Sequence, residues 1–179
     1  NSNQKILRNI FNLWIEILKK SPKSILWLLS KNGNFINNFK NEFKKQNVSS
    51  DRVIFSKKLS VDEHLVRIKF ADLFLDTFPY NAHTTGSDAF RMGLPMITLK
   101  GKSFASRVLA SILNANELGE LVTENIKDYE NLAINLGSNY NVYQNLRKKV
   151  KEKSIKSALF NNIKFTKDLE DIYSDILKS

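Results

Sequence analysis

The 179-residue chain contains no cysteine. Disulfides and cysteine-based zinc sites are therefore excluded, and a reducing, cytoplasmic setting is expected. Histidine is scarce as well: His64 and His83 are the only two. No carboxylate cluster or metal-ligand spacing stands out, so a reaction independent of metals and other cofactors is expected. The N-terminal residues carry no secretory pattern. The most apolar short run, Ile25 to Leu29, is far too short to span a bilayer. The sequence also lacks internal repeats, low-complexity linkers and nucleic-acid-binding signatures.

What is there is enough for one domain with a sizeable core. Hydrophobic residues make up 42% of the chain, which argues against disorder. Net charge is +10. A basic surface of this size fits nucleic acid or an anionic membrane, or simply a lysine-rich soluble face. Lysines are spread along the chain, with one denser run from Arg147 to Lys153. The solvated face is the preferred reading, and nucleic acid is not expected as a partner. A basic face also suits an anionic donor or an acidic protein.

Apolar spacing predicts helices over 6–20, 34–45, 61–70, 87–92, 104–114, 128–136, 140–154 and 165–177. Short apolar runs predict strands at 24–30, 52–56, 71–75 and 96–99, with an edge strand at 121–123. Strands alternating with helices imply an α/β fold: a Rossmann-like parallel sheet with helices on both faces. Residues 1–179 are read as one lobe, with 128–179 as its helical C-terminal part, which packs on the sheet or reaches a partner. Trp14 and Trp27 are read as core residues.

The most informative stretch is Asp76-Thr-Phe-Pro-Tyr-Asn-Ala-His83-Thr84-Thr85-Gly86-Ser-Asp88. It lies between a strand and a helix, at the carboxyl end of the strand, where ligands bind on such sheets. Its hydroxyls and backbone N–H groups meet a helix N-terminus, whose unpaired donors and partial positive charge attract phosphate. Plainer readings stand beside this one. Thr84 and Thr85 could cap the helix. Asp88 could be a first-turn acid favoured by the helix dipole. Asp76 could order the loop, His64 could be structural, and Lys5 could be solvated.

The chain resembles the C-terminal catalytic lobe of the protein O-linked N-acetylglucosamine transferases, GT-B enzymes often fused to tetratricopeptide repeats. Five segments carry the resemblance, in the family's order: Leu13-Trp14 through Ser24 to Leu29, Arg52 to Ser56, Ala71 to Thr85, Gly93 to Val108, and Ser157 to Asn161. It implies a UDP-sugar donor, UDP-GlcNAc, and transfer to Ser or Thr of a protein acceptor. By this resemblance Lys5 reaches the donor diphosphate, and His83, Thr84 and Thr85 form the phosphate loop. Asp88 accepts the ribose hydroxyls. The backbone of Leu59, Ser60 and Val61 reads the uracil edge. His64, Leu65, Val66 and Arg67 flank the base and diphosphate. A departing diphosphate gains negative charge, which a lysine and oriented backbone donors stabilise without a metal.

The chain also departs from the family. Val61 stands where a lysine is usual, Ser2 where a longer amide is typical, and Ala82 where glycine is common. Losing the cation at Val61 opens two alternatives: a non-catalytic nucleotide-sugar-binding or interaction module, or a related transferase with another sugar. The resemblance places the active site between two lobes, of which this chain is one. It begins where the first strand of that lobe is expected to be ending. It is therefore expected to be a fragment of a longer protein, inactive without the N-terminal lobe.

Overall fold

The computed structural model describes residues 3–178. Ser2, one of the three departures above, lies outside the described residues. A 3-10 turn at Asn3–Lys5 leads into α1 (Arg8–Lys20), and its stripe of Ile10, Leu13, Trp14, Ile17 and Leu18 is buried. Arg52 closes the far end of α1. Its guanidinium donates to the carbonyls of Leu18, Ser21 and Ser24 at 2.6–3.0 Å, satisfying groups that a helix end and its turn leave open.

Strand β1 (Leu26–Leu29) pairs in parallel with β2 (Val53–Ser56), Leu26 opposite Val53 and Leu29 opposite Ser56. Between them runs α2 (Gly33–Lys45), capped by Asn32. Its Phe39 and Phe43 pack edge-on against Phe11 of α1. A second piece joins β3 (Phe74–Leu75), β4 (Met96–Leu99) and β5 (Val122–Thr123), all parallel. The expected single sheet is thus in two pieces, because no ladder joins β1 to β3 among the described residues. Instead a cavity of about 120 Å³ lies between Leu28 and Leu29 of β1 and Phe74 of β3.

Helix α3 (Val61–Ile68) precedes β3, α4 (Thr84–Arg91) links β3 to β4, and α5 (Val108–Ala115) follows β4. Every residue of β4 is buried, since α4, α5 and α6 (Ile126–Ser138) all pack on it. Such an apolar run reads as a parallel strand covered on both faces. Helix α6 also packs on α1, and α7 (Tyr140–Lys156) on α4 and α6. After α4 the chain reverses at Gly93, whose φ of +71° only glycine adopts without strain. The C-terminal helices divide: α6 and α7 close the lobe, whereas α8 (Asn162–Lys178) buries no residue. The dense basic run lies on α7, where Arg147, Lys149 and Lys153 pair with Asp72, Glu120 and Glu117. No helix among the described residues is long and apolar enough to cross a membrane.

Candidate functional site

The loop after β3 is built on Asp76, which is 1% exposed. Its Oδ1 accepts the N–H groups of Thr77 and Ala82 at 2.8 and 2.7 Å, and its Oδ2 accepts the Thr98 hydroxyl at 2.7 Å. Within the loop, Thr77 Oγ1 donates to the Tyr80 carbonyl and Asn81 Nδ2 to the Thr77 carbonyl. The Tyr129 hydroxyl of α6 donates to the Asp76 carbonyl from below. Burial pushes the Asp76 carboxyl up to about 6, against the opposing pull of Thr98, the two N–H groups and Lys5. Ala82 is fully buried and is not among the positive-φ residues, so its replacement of a glycine strains nothing.

Lys5 is half-buried, not solvated. Its ammonium donates to the Asn81 carbonyl at 2.9 Å and sits 4.0 Å from the centre of the Tyr80 ring. Burial lowers its pKa, while Asp76 raises it. The Tyr80 ring stacks on His83 at 5.0 Å, and the Phe104 ring meets His83 edge-on at 5.9 Å. His83 Nε2 is buried with no hydrogen-bond partner among the described residues.

Helix α4 begins three residues earlier than its spacing predicts, with His83 as its N-cap residue. Thr84 and Thr85 are therefore its first helical residues, not caps, and the cap residue offers no side-chain hydrogen bond. The leading amides of α4 are left for water or an anion. Asp88 sits beyond the first turn, so the first-turn explanation of it fails. Gly86 lets α4 seat closely: a Cβ there would lie 2.9 Å from Leu109 Cδ1.

A second group gathers on α3. Arg67 donates from Nη2 to His64 Nδ1 at 3.0 Å and from Nη1 to the Lys57 carbonyl at 2.8 Å. Burial, then the Arg67 guanidinium, hold His64 below the usual histidine range, and Asp88 pulls it back up. His64, Arg67 and Thr85 all line the cavity between the two sheet pieces. So does Trp27, over whose ring Arg67 lies at 5.7 Å; Trp27 is a cavity wall rather than a core residue. The two groups meet where Asp88 and Thr85 of α4 face His64.

The remaining predicted residues are less convergent. Ser60 caps α3 in a reciprocal capping box with Glu63. Leu59 and Val61 on either side of it are exposed, Val61 at 73%. Leu65 packs partly on the core, and Val66 is exposed. Sequence reasoning assigned no role to Tyr80, Asn81 or Phe104. Their position inside or facing the strand–helix loop is the signal that could have found the first two; Phe104 had none. Among the described residues no three His, Asp or Glu side chains are grouped to hold a metal ion.

The lobe is thus a parallel α/β fold in which an uncapped helix N-terminus and a fixed lysine meet at the carboxyl end of a strand. The chain belongs to glycosyl transferase family 41, whose sequence model matches residues 1–169. It is 36% identical over 180 residues to a UDP-N-acetylglucosamine–peptide N-acetylglucosaminyltransferase of Caenorhabditis elegans, covering 99% of this chain and 16% of that protein. It is 35% identical to the probable enzyme SEC of Arabidopsis thaliana, covering 97% of this chain and 18% of that one. In three dimensions it is similar to a mutant O-GlcNAc transferase of Thermobaculum terrenum, with a TM-score of 0.90 and 27% identity. That match covers 97% of this chain and 34% of the other. The chain therefore spans under a fifth of these curated relatives and about a third of the solved one.

Proposed function

We propose that this chain is the donor-binding lobe of a glycosyltransferase that moves N-acetylglucosamine from UDP-GlcNAc to Ser or Thr of proteins, and that it is inactive alone. The observation that carries the reading is Lys5 locked onto the loop that ends in the uncapped N-terminus of α4. In this reading Lys5, the leading amides of α4 and His83 receive the diphosphate. Asp88 takes the ribose, and the His64–Arg67 pair lies along the base and diphosphate. Leu59, Ser60 and Val61 present backbone to the uracil.

In the transfer step the acceptor hydroxyl attacks the anomeric carbon as the bond to the diphosphate breaks. Negative charge grows on the leaving oxygens. A fixed ammonium and preoriented N–H groups stabilise that charge with little reorganisation, which is the role a divalent cation fills elsewhere. A metal is accordingly not required in this reading. The acceptor must be held in line with the anomeric carbon, and such positioning contributes several kcal/mol of the barrier. The rest of the longer protein, an N-terminal lobe and tetratricopeptide repeats, is proposed to supply it. The cytoplasm suits this reading.

Two measurements test it. Calorimetric titration with UDP, GDP and ADP, with and without a chelator, should show selective, chelator-insensitive binding of UDP; equal or absent binding by folded protein overturns the reading. Radiolabelled sugar should be incorporated by the full-length protein and not by residues 1–179 alone. Val61 motivates the second reading, a binding module without turnover, because an exposed valine replaces a cation at the start of α3. Bound donor with no nucleotide release from the full-length protein would favour it; release without peptide labelling would mean the wrong acceptor.

A further inference from the structure

The proposed chemistry makes no use of Asp76, yet this buried carboxylate is the most connected side chain beneath the loop. One oxygen, Oδ1, accepts from the N–H groups of both Thr77 and Ala82, the first and last residues of the six-residue stretch 77–82. The loop is thereby closed on a single atom. The other oxygen is tied to Thr98 on β4, so the closure is referenced to the most buried strand of the sheet. Asn81 Nδ2 bonds across the loop to the Thr77 carbonyl, and its own carbonyl is the acceptor for Lys5. Ala82 leads directly to His83 and the open amides of α4. Any shift at Ala82 would move all three anion-binding parts at once.

We infer that Asp76 is the positioning residue of the donor loop, clamping residues 77–82 at both ends and thereby holding the Lys5 ammonium in place. This inference rests on the donor-lobe reading above. The ionisable groups facing Asp76 are Lys5, from the N-terminal turn, and Tyr129, from α6; β4 contributes the neutral Thr98. Lys5 is thus the one cation whose charge Asp76 supports among the groups acting on it, and burial works against that charge. A carboxylate kept in a buried place that disfavours it is a mark of a functional site when a specific charge partner stands nearby. Asparagine keeps the Oδ1 acceptor, and the Thr98 hydroxyl can turn to accept from its amide. Leucine fills the same space and keeps nothing.

The test uses the full-length protein and UDP-GlcNAc, whose diphosphate, esterified at both ends, has no proton to lose near neutral pH. Asp76→Leu should weaken donor binding by about tenfold or more, the effect of stranding several buried donors at the loop. Asp76→Asn should restore binding to within about threefold of wild type, since it keeps the clamp. In the free protein, the Lys5 ¹³Cε resonance of Asp76→Asn should titrate at lower pH than in wild type, because the supporting anion is gone; a merely structural role predicts no such change. If Asp76→Leu does not fold, Thr98→Val decides: freeing Oδ2 should weaken binding about threefold or more. Donor binding by wild type with undiminished affinity in the folded leucine or valine variant would overturn the inference, as would an unmoved Lys5 titration. Absence of donor binding in wild type would instead overturn the donor-lobe reading, and this inference with it.

Discussion

The sharpest energetic consequence of the site is a pH-dependent cost at Asp76. Burial, the largest influence on it, pushes its carboxyl up to about 6 in the folded lobe, against 3.8 for an unperturbed aspartate. The folded state therefore holds this proton more tightly than the unfolded chain. Stability from this group is complete below about pH 3.8 and is lost as pH rises through about 6. The gap corresponds to about 3 kcal/mol, of which most, about 2–3 kcal/mol, is lost between pH 4 and 7.5. Asp76→Asn carries no titrating proton there but fills the same space. The stability of wild type minus that of Asp76→Asn, from urea unfolding at several pH values, should fall by that amount across the window. Titrating groups remote from Asp76 cancel in the difference, and the two that feel its charge, Lys5 and Tyr129, ordinarily titrate above this window. A flat difference would mean that burial and the hydrogen bonds balance. A difference that rises with pH would refute the reasoning, because it would mean that attraction to Lys5 and the three donated hydrogen bonds overcome burial. An NMR titration of the Asp76 carboxyl reads the same quantity directly.

Other expected outcomes follow from single contacts. Lys5→Ala should weaken UDP binding by about 1.5–3 kcal/mol in calorimetry, the usual worth of a hydrogen bond to a charged group, with a small loss of melting temperature because the bond to Asn81 goes too. His64 should titrate below 6.5 by NMR, and Asp88→Asn should lower it further, since Asp88 is the group that raises it; an unchanged midpoint would separate the two halves of the site. Gly93→Ala should destabilise the lobe by about 1–2 kcal/mol in thermal unfolding, from the positive φ and a Cβ only 3.3 Å from the Lys151 backbone. Ser60→Ala should cost about 1 kcal/mol by removing one half of the α3 capping box.

The strands and helices were legible wherever the apolar period was uninterrupted. Met96–Leu99 is bounded as its sequence predicts, because four apolar or β-branched residues lie between Pro95 and Lys100. Strand β3 is shorter than the run Ala71 to Leu75, since Ala71 is still held in a turn by the carbonyl of Ile68. Thr84 to Gly86 read as loop by composition but are the first helical residues of α4, where Gly86 seats close against Leu109. That contact joins residues far apart in sequence and has no local signature. The capping box at Ser60-Val-Asp-Glu63 was written in the sequence and is the kind of start signal that fixes a boundary. The Arg52 clamp on the end of α1 was not, because its three carbonyl acceptors precede it by about thirty residues.

The site divides along the same line. The strand–loop–helix layout marks where an anion could bind, because that depends on local order alone. What turns the loop into a formed site is non-local: Lys5 arrives from the N-terminal turn, Thr98 from the next strand, Tyr129 from α6 and Phe104 from beyond β4. Each is held by a different element, so the loop reports the docking of nearly the whole lobe. No side chain caps the start of α4. A serine or aspartate bonded there would satisfy the leading amides and stabilise the helix by about 1 kcal/mol, but it would also occupy the donors that an anion needs. His83 occupies the cap position without making that bond, and its own Nε2 is left unpaired beside them. The leading amides of α4 and the His83 ring nitrogen are thus left unsatisfied within the lobe, at a helix end fixed from below by a carboxylate and from the side by a lysine, which local helix stability alone does not explain.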